Sequence, residues 1–317
     1  MNKLFVLLVV IFQSFVVLHA QQDPLNSQYM FNGMIINPAF AGQGERLNIA
    51  YMYRRQWTSI PNSPLVQNVS INTPISYQRI GLGLQFVNER IHIQNNLSVN
   101  ASCSYKINFA NGTLAFGINA GFKQMRIDVS DLEIKDVQDK LLNQPTLMLP
   151  DLGAGLLYSD KSIYVGVSML HLIPGSGDIG LNNTIVYNQV AHYYLMGGYK
   201  ANISENIQLI PSIILRYVPN TPIQADITIH AMYKQICWAG VSWRTAPVVA
   251  FQAGFKFSEL LHINQSMKIG YSYDLGYGGI AYQLGGSHEL MLIFDLAIHP
   301  SPEKIKKRKI KTNPVFF

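Results

Sequence analysis

Between Leu97 and Phe109 the chain alternates without an error. Leu97, Val99, Ala101, Cys103, Tyr105, Ile107 and Phe109 fall on one side, and Ser98, Asn100, Ser102, Ser104, Lys106 and Asn108 on the other. Side chains of a strand switch faces at every residue, so this pattern predicts a β-strand with one apolar and one polar face. At about 3.4 Å per residue such a strand is long enough to cross a bilayer at a tilt. The same period returns with Leu114, Phe116, Ile118, Ala120 and Phe122 against Gly117, Asn119, Gly121 and Lys123. It returns again with Ile227, Ile229, Ala231 and Tyr233 against Asp226, Thr228, His230 and Lys234, and with Met267, Ile269, Tyr271, Tyr273 and Leu275 against Lys268, Gly270, Ser272 and Asp274.

Fourteen such segments are predicted, near residues 46–56, 65–75, 78–88, 95–108, 112–125, 151–159, 162–171, 189–200, 206–218, 222–234, 236–245, 247–257, 264–276 and 285–297. The gaps alternate in length. Those after even-numbered segments are short (SY, ANG, DK, NISEN, Q, SELLHI), whereas several after odd-numbered ones are long: the stretches between Arg126 and Pro150 and between Leu172 and Asn188, and the loops TSIPNSPL, NERIHIQN and GYGGIAYQ. RYVPNTP and RTAP are short exceptions. Short turns at one end and longer loops at the other are the signature of an outer-membrane barrel. A soluble sandwich would also alternate, but its polar face should be rich in Lys and Glu; here that face carries Gly, Ser, Asn and single charges. The fold expected is therefore all-β: a transmembrane antiparallel up-and-down β-barrel of about fourteen strands in an outer membrane, apolar face to lipid and polar face to the lumen. Tyr53, Trp57, Trp238 and Trp243, near strand ends, suit interfacial girdles.

Composition agrees. Only 13% of residues are charged, about half the usual share. Lys3, the apolar run Leu4 to Leu18 and Ala20 read as a secretion signal. The expected organisation is a signal peptide over 1–20, a periplasmic N-terminal segment over 21–44, the barrel over 45–299 and a basic periplasmic tail over 300–317, with both termini periplasmic. The net charge of +6 comes from the ends: leaving out Lys3 and the tail's Lys304, Lys306, Lys307, Arg308, Lys309 and Lys311, and Glu303 from the acids, 17 basic residues face 17 acidic ones. Cys103 and Cys237 are too few for a disulfide framework or a metal site.

Candidate chemistry is sparse. GSGDIG (Gly175 to Gly180) fits a dinucleotide fingerprint on paper, but Pro174 precedes it and the helix-poor LNNTIVYN follows where a helix must open, so an outer loop is the better reading. The histidines are scattered singly, and no metal-ligand spacing or nucleophile motif occurs. No catalytic residue, cofactor or metal is expected, and the chain is read as a non-enzyme. Five acids, Asp128, Asp131, Glu133, Asp136 and Asp139, crowd one long loop. In Ser287, His288 and Glu289, neighbours face opposite ways, so His288 and Glu289 cannot share a site, while Glu289 and Asp295 share a side. They are expected to face the lumen in a charge cluster with Arg244, Lys256, Lys268 and Asp274.

Several stretches resemble the PorP/SprF family of the type IX secretion system of Bacteroidetes. They are QQDPLNSQYMFNGMIINPAFAG (Gln21 to Gly42), RRQW (Arg54 to Trp57), GLGLQFVNERI (Gly81 to Ile91), GAGLLYSDKSIYVGVSMLHL (Gly153 to Leu172), HYYLMGGYK (His192 to Lys200), PIQADI (Pro222 to Ile227), GVSWR (Gly240 to Arg244), and YSYD followed by GSHE (Gly286 to Glu289). The resemblance implies a non-enzymatic outer-membrane barrel of the secretion and gliding machinery. Its implied partners are periplasmic ring and peptidoglycan-linked components or the C-terminal sorting domain of a secreted adhesin. Candidate partner-binding residues are Asp23, Pro24, Ser27, Gln28, Tyr29, Asn37 and Pro38 at the N-terminus and Lys304, Lys306, Lys307, Arg308, Lys309 and Lys311 in the tail. The alternative is a channel or porin for small solutes; no nucleic-acid partner is expected.

Overall fold

In hydrocarbon a backbone N–H or C=O has no water to turn to, so a spanning sheet must pair both edges of every strand. The computed structural model, which describes residues 26–75, 79–128, 146–179, 185–258, 265–277 and 279–297, meets that demand by closing a ring. Its strands are β1 (Leu47–Arg55), β2 (Leu65–Ile75), β3 (Ile80–Ile91), β4 (Gln94–Asn108), β5 (Thr113–Ile127), β6 (Thr146–Ser159), β7 (Ile163–Leu170), β8 (His192–Tyr199), β9 (Ile207–Tyr217), β10 (Gln224–Tyr233), β11 (Cys237–Arg244), β12 (Val248–Ser258), β13 (Gln265–Gly276) and β14 (Ser287–Leu296). Each pairs antiparallel with the next, β8 joining β7 to β9. β14 returns to β1 in continuous register from Leu47↔Leu296 to Arg55↔His288. This is the expected fourteen-strand barrel. No helix among the described residues is long and apolar enough to cross a membrane; the chain crosses with strands.

The two faces separate as the alternation requires. On β10, Ile227 and Ile229 are exposed on the outside whereas Asp226, Thr228 and His230 are buried inside. On β4, Tyr105 and Ile107 face out, and Ser102, Ser104 and Lys106 face in. Exposed apolar side chains on most of the strands make the outer band that lipid covers. Trp57 and Trp243 lie exposed at strand ends as expected. Trp238 does not: it shares the inward face of β11 with Gly240, Ser242 and Arg244, and packs inside the lumen against Phe31 with ring centroids 4.8 Å apart.

The long-loop end departs from the sequence reading in two places. NERIHIQN is not an open loop, because β3 and β4 continue until only His92 and Ile93 separate them; the cross-strand bond from Asn96 Nδ2 to Glu89 Oε2 (2.9 Å) supports the extension, and His92 takes a left-handed φ of 52° at the turn. Between β7 and β8 the expected loop contains a hairpin, Gly175–Ile179 paired with Ile185–Gln189. The hairpin packs its Tyr187 with Met125, Ile127 and Leu149, which belong to the elongated ends of β5 and β6. Much of the acid-rich loop, including Asp131, Glu133, Asp136 and Asp139, lies outside the described residues.

The outward faces set a prediction. Ile229 lies near the middle of β10 and faces lipid, so Ile229→Lys should cost about 2–4 kcal/mol of folding stability in vesicles, while Ile223→Lys, at the exposed rim just before β10, should cost far less. Urea titration of folding into lipid vesicles checks both.

Candidate functional site

The lumen of this barrel contains part of its own chain. Residues 26–42 form three single 3-10 turns, Tyr29–Phe31, Gly33–Ile35 and Pro38–Phe40, the last capped by Asn37, whose Oδ1 accepts from Ala39 N at 2.9 Å. The segment runs from the long-loop end to the short-turn end, which follows from its contacts. Ser27 meets Arg54, Arg244, Asp274 and Glu289, at the long-loop ends of β1, β11, β13 and β14. Further along, Asn32 Nδ2 donates to Ser70 Oγ (2.7 Å), and Asn37 Nδ2 donates to the carbonyls of Leu156 (3.0 Å) and Val167 (3.3 Å). At the far end Ser104 donates to the Ala41 carbonyl (2.7 Å) and Lys106 to that of Gly42. A chain without regular structure has backbone groups to satisfy, and the polar inner wall supplies them. Glycines let it come close: a β-carbon on Gly117 would strike the backbone of Pro38 and Ala39, and one on Gly81 the Ala41 carbonyl.

The upper anchor is a buried ionic network. Arg54 donates from Nη2 to Asp274 Oδ2 (2.6 Å) and from Nη1 to Glu289 Oε2 (3.1 Å). Arg244 donates from Nε to Asp226 Oδ2 (3.0 Å) and reaches Asp274 at 3.5 Å; Arg216 also pairs with Asp226. Three guanidiniums thus face three carboxylates. Into their centre the N-terminal segment places Ser27, whose hydroxyl donates to Asp274 (2.8 Å) and accepts from Arg54 Nη1 (3.0 Å). The amides of Ser27 and Gln28 each donate to a Glu289 oxygen at 2.8 Å, and Gln252 donates to the Ser27 carbonyl at 3.0 Å. A buried carboxylate is tolerated when a paired cation and hydrogen bonds occupy its oxygens, and Glu289 has both. The three carboxylates are each paired with a guanidinium, and the backbone of Ser27 and Gln28 takes up both oxygens of Glu289. No grouping of three or more His, Cys, Asp or Glu suited to a metal occurs among the described residues.

The structure places the residues expected in the lumen cluster as two separate groups. Arg244, Asp274 and Glu289 come together. The cation on Glu289 is Arg54, its register partner across the seam, and neither Lys268 nor Lys256. Lys268 sits lower in the lumen, 3.9 Å from Asp295, which also accepts from Asn48 (2.8 Å) and Ser266 (3.2 Å); Lys256 is half-buried on the neighbouring strand. The reason is geometric. Strand faces can be read from sequence, but Arg54 meets Glu289 only because the ring closes in this register. Arg216, Asp226 and Gln252 were also missed, although their inward parity was available. Ser27, Gln28, Tyr29, Asn37 and Pro38, expected in a periplasmic segment that binds partners, are buried inside the lumen instead. Their backbone and side-chain polar groups find matching donors and acceptors on the wall. Asp23, Pro24, residues 1–20, expected to be a signal peptide, and the basic residues Lys304, Lys306, Lys307, Arg308, Lys309 and Lys311 lie outside the described residues. His288 points away from Glu289, as parity requires, and its Nδ1 meets the Tyr271 hydroxyl at 2.6 Å.

The network predicts a defined loss. Glu289→Gln keeps the shape but removes the charge that faces Arg54, and breaking a buried pair from one side costs about 3–5 kcal/mol. The urea midpoint should fall accordingly, and limited proteolysis should cut within residues 26–42, which the parent barrel protects.

Among solved structures, the CymD monoaromatic hydrocarbon channel superposes with a TM-score of 0.54 at 11% identity, over 87% of this chain and 94% of that one. The Pseudomonas putida toluene transporter TodX gives 0.48 at 10%, over 85% and 94%, and the Acinetobacter baumannii outer membrane protein Omp33 gives 0.45 at 5%, over 81% and 100%. At such identities the CymD likeness shows a shared fold and no more. No curated protein matches the chain. The family model described as type IX secretion system membrane protein PorP/SprF matches residues 18–294, and this outer-membrane barrel belongs to that family.

Proposed function

We propose that the protein is a non-enzymatic scaffold of the type IX secretion and gliding machinery, its wall fixed in the outer membrane and both termini on the periplasmic side. There it engages periplasmic components or the C-terminal sorting domain of a secreted adhesin. Family membership supports a place among secretion components. The observation that carries the scaffold reading over a solute channel is the segment of residues 26–42 threaded through the lumen and bonded to several strands. The segment occupies bore that an open pore would leave to solutes, and its bonds to several strands tie it in place. The basic tail, Lys304 to Lys311, offers six cations to an acidic partner surface or to anionic headgroups.

Affinity purification from native membranes in mild detergent tests the role: secretion components should co-purify, and replacing the tail's six basic residues with Ser should weaken their capture. Recovery of the barrel alone would overturn the proposal. Planar-bilayer recordings test the channel alternative. The intact barrel should conduct little, whereas Gly117→Val, which pushes on Pro38 and Ala39, should raise conductance severalfold over Gly197→Ala, a position with room for a methyl group. A large, stable conductance of the unaltered protein would favour the channel.

A further inference from the structure

Three arginines stand on the outer wall of the barrel, at the end where the long loops lie. Arg55 closes β1, Arg90 lies one residue before the end of β3, and Arg126 one residue before the end of β5. All three are exposed, while their chain neighbours Arg54, Glu89 and Met125 are buried toward the lumen. In RRQW and NERI alike, the lumen takes up the inward charge and leaves an arginine outside.

The three also share one row of the sheet. Register pairs Arg55 with Leu65, Leu65 with Arg90, Arg90 with Asn95, and Asn95 with Arg126. Residues of one row on alternate strands lie about 10 Å apart, twice the strand spacing, so the side chains of two neighbouring arginines can converge on one group. The row is one-sided: near the same end of β8, β9, β11 and β13 the outward residues are Tyr193, Tyr217, Trp243 and Leu275, and none carries a charge. The protein itself does little to answer the first two cations. The side chain of Arg90 makes no hydrogen bond or ion pair among the described residues, and Arg55 donates from Nε to Ser63 Oγ at 3.5 Å, which leaves both terminal nitrogens of its guanidinium. Arg126 has Asp128 two residues further on, so the centre of the site is Arg55 and Arg90.

We infer that Arg55 and Arg90, flanked by Arg126, bind the phosphate headgroup of a lipid in the leaflet at the long-loop end, with the lipid's acyl chains lying on the apolar wall of β3 and β4. Further along the same outward face, Leu82, Leu84 and Phe86 of β3 and Leu97 of β4 are exposed. A basic residue on a lipid-facing strand is tolerated near the interface and costly at the midplane, and what such a wall meets at the interface is headgroups. Guanidinium is the cation that meets a phosphate with two parallel hydrogen bonds, and it does so more strongly than a neutral donor. In the orientation proposed above this leaflet is the outer one; the headgroup contact itself does not depend on the scaffold role.

The full-length barrel in a neutral detergent is titrated with dioleoylphosphatidic acid and with dioleoylglycerol, which has the same chains and no phosphate, and bound lipid is read by native mass spectrometry. The phosphatidic acid should bind about tenfold tighter or more. Arg55→Gln with Arg90→Gln should remove that preference, whereas Arg79→Gln with Lys161→Gln, the same change of charge at exposed positions of the short-turn end, should keep it. Each comparison is repeated in the full chain whose six basic tail residues are replaced with Ser, so that the tail's cations do not mask the loss. Heat-modifiable gel mobility reports folding. Should the double variant misfold, phenylglyoxal labelling of the unaltered protein replaces it: phosphatidic acid should protect Arg55 and Arg90, and dioleoylglycerol should not. Equal binding of the two lipids overturns the inference, as does a preference that survives the double substitution in the tail-replaced chain, or labelling of both arginines unchanged by phosphatidic acid. Displacement of the lipid by an equal concentration of inorganic phosphate would overturn it in favour of a soluble anion, and tighter binding of hexaglutamate than of the lipid would overturn it in favour of an acidic protein.

Discussion

Everything in this molecule depends on one constraint: strand backbone in hydrocarbon must find its hydrogen-bond partners within the protein. A fourteen-strand sheet satisfies it only by joining its first strand to its last. The pairing of β1 with β14 therefore does more than finish the ring, because it fixes the register that places Arg54 opposite Glu289. From that register follow the buried ionic network, the position of Ser27 within it, and the course of the N-terminal segment down the lumen.

The polar lumen gains its meaning from the same segment. An inner face of Gly, Ser and Asn looks underspecified as a water-filled channel, and much less so as the mould for a short length of irregular chain. Gly81 and Gly117 permit contact with backbone, while Ser70, Ser104 and the carbonyls of Leu156 and Val167 take up hydrogen-bonding groups. What a strand needs toward lipid is only apolar bulk, so the outer face is permissive; what it needs inward is specific to each position.

This contrast explains which features were legible in the sequence. The fourteen strands were, since period-two alternation is a local property and a bilayer enforces it strictly. Parity alone correctly separated His288 from Glu289 and put Asp274 inside. Trp238 was misplaced because an aromatic near a strand end was given more weight than its inward parity. The partner of Glu289 was beyond local reading, since it sits 235 residues away and is selected by closure. The lumen path of residues 26–42 was equally hidden: QYMFNGMIINPAFAG has no strand or helix period, and only a wall assembled from distant strands shows what those residues pack against.

The threaded segment also constrains the order of events by which the molecule is made. Residues 26–42 immediately precede β1 and end up encircled by strands from nearly the whole chain, with the seam uniting parts of the sequence that are far apart. Passing such a segment through a finished ring would mean stripping water from its polar groups inside a narrow bore, whereas folding strands against it while the ring is a curved, open sheet does not. The seam is thus the natural last step, and a barrel zipped too early would trap its own beginning outside. Insertion factors that keep nascent edge strands apart would then act as timekeepers for this protein, delaying closure until the leading residues have been captured.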